Sequence, residues 1–381
     1  MRKAAMLKIT LTAVAMTLLW TVGPSCAIAD PIPIDELALR AGKGIYLGKA
    51  TVVDAAIAAK KSVTADKEVH LGGIYSFENI YLGRDAVVRG TVMAEKSASA
   101  DRNLDLVGDW TGKGVSFGRD ATVVGNVTAA SQQIGIGRNA DITGNVRGNH
   151  NIWIDRDSTI TGDARPGIGR TLSTGGNVTI TGSRDPGSVT VPDMGSSSVL
   201  DMNAPSHGDH GSRNIWRGNN SVFALDPGAY REVGFGHHAT LNLSAGEYTL
   251  KTFWMDHDGQ VNVDTSGGDV VLNVLNAFST GHDVHFVKSG VGSLTINAYN
   301  SDIWLGNGAD LAASICVFGG NFGAGNGMVL EGNVFASGQI TLGNGSQITW
   351  SGGSPAVPEP GTVVLLALGA VGMLWKHKNR R

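Results

Sequence analysis

The chain has 381 residues, 54 of them glycine, and a formal net charge of -3. Glycine at about twice its usual share and a charged fraction of only 17% predict many turns and few helices, while a hydrophobic fraction of 42% excludes wholesale disorder. Basic blocks occur only at the two ends, so the electrostatic footprint of a nucleic-acid binder is missing and that class is excluded.

In chain order, the first element is a secretory signal over residues 1–29. Arg2, Lys3 and Lys8 precede the apolar run ITLTAVAMTLLW, and Ala27 and Ala29 supply the small residues that a signal peptidase accepts. Cleavage there leaves a mature chain beginning near Asp30, with Cys316 as its single thiol. A single thiol makes no internal disulfide, and the apolar neighbours in ASICVF predict a buried small hydrophobe rather than a nucleophile.

Residues 30–185 carry internal repeats. Aligned on one glycine, the copies are IYLGKATVVDAAI (Gly48), IYLGRDAVVRGTV (Gly83), VSFGRDATVVGNV (Gly118), IGIGRNADITGNV (Gly137) and IWIDRDSTITGDA, where Asp155 takes the glycine's place. The first two intervals are about twice the later ones, so degenerate units are expected near VHLGGIYSF and LDLVGDWTG. The unit is too short for a helix pair, and its apolar residues alternate, which predicts strands and corners. Each copy parses as two sixes, such as IGRNAD and ITGNVR, with a branched apolar residue first and a small or apolar one fifth.

That cadence predicts an all-β parallel β-helix, taken as right-handed, whose rungs stack at strand spacing of ~4.8 Å. Ile136, Ala140, Ile142 and Val146 should point inward. Arg84, Arg119, Arg138 and Arg156 should occupy outward corners, with no shared catalytic role. Asn126, Asn145, Asn177 and Asn333, all in GNV triplets, are expected in stacked side-chain ladders. On these repeats the segment 44–182 resembles the bactofilin-like polymer-forming proteins, which implies a scaffold capable of self-association without an active site.

Residues 186–213 are rich in Pro, Gly, Ser and Asp without a period, and read as a linker or long loop. From 214 to 352 alternation resumes, as in ATLNLSAGEYTL and GSLTINAY, and a second β-solenoid is expected, with a β-sandwich as the runner-up. Its closing stretch resembles the terminal coils of surface and adhesin-like β-solenoids. The region also holds His207, His210, His237, His238, His257, His282 and His285, with Asp256, Asp258 and Asp283 beside them. If His237, His257 and His282 share corners of successive rungs, their imidazoles form a ladder suited to zinc or copper; solvated corners are the simpler expectation, and no metal or cofactor is assigned.

Nucleophile elbows, phosphate loops and paired-cysteine motifs are missing, and no catalytic residues are assigned. Among β-helical enzymes, an acyltransferase base would have only His150 to draw on near the regular repeats.

The segment 353–381 contains VPEPGTVVLLALGAVGMLWKHKNRR and resembles the PEP-CTERM sorting signal. That likeness implies a Gram-negative precursor held in the inner membrane by a transmembrane helix. Export machinery delivers it and an exosortase-type protease cuts it at a site that Pro358, Glu359 and Pro360 mark. Lys376, Lys378, Arg380 and Arg381 would act as stop-transfer charges. Its short apolar run, Thr362 to Trp375 at ~1.5 Å per residue, suits a transient anchor better than a permanent span. The expectation is a non-enzymatic structural or adhesive protein of the cell surface or extracellular matrix, associated with exopolysaccharide or biofilm. The alternatives are a β-helical enzyme acting on extracellular polysaccharide and a surface metal-binding protein.

Overall fold

The computed structural model describes residues 34–350 and Ile32; the secretory segment with Ala27 and Ala29, and the C-terminal segment with its Pro-Glu-Pro, apolar run and basic tail, lie outside the described residues. No helix among the described residues is long and apolar enough to cross a membrane.

Three short strands make the first coil: Leu37–Ala41, Ile45–Leu47 and Val52–Val53. Each pairs in parallel with the strand three places later, and that rule holds to the strand Thr179–Ile180. Three flat parallel faces result, here A, B and C in the order the first coil meets them. Alternation explains the short strands. In Ile45–Leu47 the two outer residues are buried and Tyr46 is exposed, whereas on face C a central residue such as Val123 or Ile142 points inward. Ile136, Ala140, Ile142 and Val146 are all buried, as the six-residue parsing predicts.

Two corners need special backbone. After face B every rung has a residue in the left-handed region, such as Asp85 (φ 59), Asp120 (φ 61) and Asn139 (φ 55). Asp and Asn adopt it at lower cost than other side chains. Between faces C and A, Gly125, Gly144 and Gly162 sit at φ 148 to 152, and a Cβ on Gly144 would overlap the Gly125 carbonyl one rung away. The residues after these glycines form the expected ladder. Asn126 accepts from Asn145 through both its backbone N–H (3.1 Å) and side-chain Nδ2 (3.0 Å), and Asn145 Oδ1 accepts from the Asp163 N–H. Asn177 lies in the left-handed column instead, donating to Asp157, and Asn333 is buried with its Oδ1 unpartnered.

Residues 214–349 continue the same three faces from the opposite direction. Val334 pairs with Leu39, Ile340 with Ile45 and Gln347 with Val52, so the last coil of the chain stacks on the first. Winding therefore starts mid-rod and proceeds to Ile180. The chain then crosses to the far end, resumes at Asn214 and winds back to the middle. The β-sandwich alternative is overturned, because every strand pairing from 214 to 349 is parallel. Its irregular spacing has a structural cause: long strands such as Gly246–Met255 and Val270–Thr280 turn from face A to face B without a corner loop.

The connector lies along face A. Asn149 bonds both backbone groups of Val189 at 2.8 Å, Arg40 donates to the Val199 carbonyl at 2.9 Å, Asp201 pairs with Lys60, and the His207 ring meets Tyr299 at 4.2 Å. Connector residues Met194 and Leu200 are buried, and so are the outward face-A residues Tyr75 and Met93. Face A is thus covered along much of its length, while faces B and C stay open.

Candidate functional site: an aromatic face and its charged corner

On face B the residue between two inward-pointing neighbours, such as Tyr46, Tyr81 or Trp153, points outward. Strand register puts these residues in one line, starting at the far end with Trp216, Gly234, Trp254, Ser279, Trp304, Gly323 and Thr341. The line crosses the junction between the two halves and continues through Tyr46, Thr64, Tyr81, Ser99, Ser116, Gly135, Trp153 and Ser173. Every aromatic in it has Gly, Ser or Thr as its neighbour. A Cβ on Gly234 would overlap the Trp216 ring, and one on Gly323 would overlap Trp304, so these rings lie down over glycine. Exposure of the six aromatics runs from 37% for Trp254 to 54% for Trp216 and Trp304. No other aromatic is among the large hydrophobic side chains exposed to solvent in the described residues.

Two residues past each of these strands lies the corner that borders face C. Arg84, Arg119, Arg138 and Arg156 share it, in a column with Lys49, Lys67 and Arg102, each rung bonded to the next through backbone. The sequence reading missed Lys49, Lys67 and Arg102. Lys49 lies in an aligned copy beside Gly48, but the other two occupy the degenerate units, where Asp66 and Asp101 replace the glycine; Asp-Lys-Glu and Asp-Arg-Asn were the available signals. Carboxylates accompany every one of these cations except Arg138, which lies between Gly137 and Asn139. Asp66, Asp101 and Asp155 precede Lys67, Arg102 and Arg156 and accept their N–H groups. Glu68, Asp85, Asp120 and Asp157 pair with Lys49, Arg84, Arg119 and Arg156 at 3.3 to 3.9 Å. These pairs are exposed and contribute little to stability.

The same column continues across the junction as Asn344, Asn326, Asn307, His282, His257, His237 and Asn219. Along most of it a backbone N–H is accepted by the next corner side chain: Lys49 by Asn344, Asn344 by Asn326, Asn326 by Asn307 and Asn307 by His282, whereas the His257 N–H is accepted by Asp256. The three imidazoles do share this column, with His257 and His282 stacked at 4.7 Å and His237 tilted against His257 at 5.2 Å. His257 Nδ1 accepts the His282 N–H at 2.8 Å and His282 Nδ1 accepts the Asn307 N–H at 3.1 Å, which places each ring proton on Nε2. His237 Nε2 lies 3.0 Å from Asp256. Stacked rings aim their nitrogens in parallel, and among the described residues no group of three metal-ligating side chains could hold an ion.

The other singled-out residues lie elsewhere. Burial pushes the Cys316 thiol up to about 11, with Arg40 opposing the shift, so it is a poor nucleophile. His150 has a buried Nδ1 without a hydrogen-bond partner among the described residues, and none of their carboxylates pairs with it. The groove beside Tyr81, lined also by Lys67, Arg84 and Arg102, holds about 560 Å³ and is open to solvent.

Residues 356–381 match the family model of the PEP-CTERM protein-sorting motif. The chain carries a surface-sorting signal. That motif implies an exported cell-surface protein processed by exosortase, a membrane protease. No curated protein matches the chain. Among solved structures, an ice binding protein from an Antarctic bacterium, Flavobacteriaceae, is similar at 12% identity and a TM-score of 0.26, over 83% of this chain and 97% of that one. The bactofilin likeness of residues 44–182 finds no support in these matches.

Proposed function

We propose that the protein is a non-enzymatic structural or adhesive rod of the bacterial surface, deployed where exopolysaccharide or biofilm matrix surrounds the cell. The observation that carries this reading is the sorting motif at 356–381 on a chain whose preceding coils stack into a continuous solenoid. Parallel coils bonded rung to rung resist bending, and faces B and C leave side chains free for contact. Pro358, Glu359 and Pro360 mark the processing site, Lys376, Lys378, Arg380 and Arg381 hold the precursor in the inner membrane, and Ala27 and Ala29 are the small residues just before signal cleavage.

The test is the fate of the full-length protein in an exosortase-bearing Gram-negative host. Wild type should become accessible to added protease on intact cells. A Pro358→Ala, Glu359→Ala, Pro360→Ala variant should accumulate as a larger membrane-bound precursor. Protein that stays cytoplasmic, or a variant processed like wild type, would refute the reading. Non-enzymatic action predicts unchanged chain length when host exopolysaccharide is incubated with the protein.

A further inference from the structure

We propose that face B is a track for an extended, neutral β-linked polysaccharide lying along the rod axis. The inference rests on the surface-protein reading above and names the partner. Six exposed aromatics, Trp216, Trp254, Trp304, Tyr46, Tyr81 and Trp153, share one column although they come from sequence regions far apart. A row of exposed rings on an exported protein is an aggregation liability, and large exposed apolar features mark interaction sites.

Ring orientation narrows the partner. Trp216 and Trp304 lie over Gly234 and Gly323, so one ring face is against the sheet and the other faces outward. An outward ring face is electron-rich and attracts polarised C–H groups. A pyranose presents such groups on its flat apolar side, with hydroxyls around the edge. While the Trp216 and Trp254 rings lean together to 6.5 Å between centroids at 51°, backbone positions of alternate rungs, as for Trp254 and Trp304 or Tyr46 and Tyr81, recur about 9.6 Å apart at strand spacing. That interval is comparable to one disaccharide step of an extended β-linked chain. Thr341, Thr64, Ser99 and Ser116 supply hydroxyls between the rings.

The corner column supplies the edge contacts. It offers donors and acceptors at every rung, and a sugar hydroxyl needs both. Four of its cations pair with carboxylates and Asp66 and Asp101 adjoin Lys67 and Arg102, so the column has little net field to gather a polyanion. A protein partner would favour a continuous apolar centre depleted of charge, whereas here Gly, Ser or Thr stands between successive aromatics and only Trp216 and Trp254 lean together.

The test uses the full-length protein, tryptophan fluorescence and co-sedimentation with insoluble β-glucan. Cellohexaose and mannohexaose are the neutral probes and alginate oligomers the anionic one. A neutral hexaose should shift the emission and bind more tightly than its disaccharide, with little dependence on salt. Trp304→Ala and Trp254→Ala should each weaken binding about fivefold to tenfold, the loss of one stacked ring. Trp304→Phe should keep most of the affinity, and Val124→Ala on face C should change nothing. The proposal is overturned if no neutral oligomer binds, if the Trp→Ala variants bind like wild type, or if only alginate binds and salt abolishes it. It is also overturned if Trp304→Ala converts a dimer to a monomer, since the face would then be covered by a second copy. Surface-exposed protein that binds no glycan sinks this inference alone; protein that never reaches the surface sinks the underlying reading.

Discussion

Replacing Gly144 by alanine tests whether close stacking of glycine corners holds the rod together. Gly144 has φ +148, and a Cβ there would lie 2.6 Å from the carbonyl carbon of Gly125 and nearer still to its oxygen. Carbon–oxygen contacts normally stay beyond ~3.3 Å, so the two rungs must part locally by about 1.3 Å to clear that oxygen. Three hydrogen bonds cross that gap: Gly125 N–H to Thr143 at 2.9 Å, Val127 N–H to Asn145 at 2.8 Å and Asn145 N–H to Asn126 Oδ1 at 3.1 Å. Backbone strain of ~1–3 kcal/mol and ~1 kcal/mol for each of the three weakened bonds predict a loss of about 4–6 kcal/mol. Gly169→Ala is the control, because Gly169 also has positive φ (+71) but nothing lies within 4 Å of its Cβ position; it should cost only ~1 kcal/mol. Urea unfolding followed by circular dichroism compares the two, with native-state hydrogen exchange over residues 122–165 reporting local opening. If both variants fall within about 1 kcal/mol of each other, the stacking explanation is wrong.

Asn145→Ala removes two side-chain ladder bonds and should lower stability by ~1–2 kcal/mol in the same urea assay. Asp163, Asp264 and Asp269 are held below the usual carboxylate range, chiefly by the Ser183 N–H, the Ser266 hydroxyl and the Ser293 N–H respectively. Their contribution is fully present above an unfolded value of about 4 and is lost as pH falls through the depressed folded values. The urea midpoint should therefore drop in acid, and Asp163→Asn should flatten that drop. With its thiol at about 11, Cys316 should react slowly with iodoacetamide at pH 8 in the native protein and rapidly once urea exposes it. Asp201→Ala removes the Lys60 partner; the global midpoint should barely move, while trypsin should cut within 181–213 faster.

The solenoid was legible because its signal is local. A branched residue at the head of each six, a corner glycine or aspartate, and alternation between them give the inward set Ile136, Ala140, Ile142 and Val146. They also place Arg84, Arg119, Arg138 and Arg156 on corners. The histidine ladder was visible only conditionally, because the chain lengths between His237, His257 and His282 are unequal. Their strands absorb the difference by running from one face to the next, a bend without a sequence signature of its own. Nothing in the repeats indicated that Trp304 and Tyr46 belong to one line, or that the histidines extend the Lys49 column. Both follow from Gln347 pairing with Val52 and Ile340 with Ile45. A coil edge presents the same row of amide and carbonyl groups whichever coil it belongs to. Local pattern thus determines that coils form and which residues they turn outward. Which edge joins which is decided only when the connector, anchored by Asn149, Arg40 and Lys60, carries the chain along face A and leaves the last coil to close on the first.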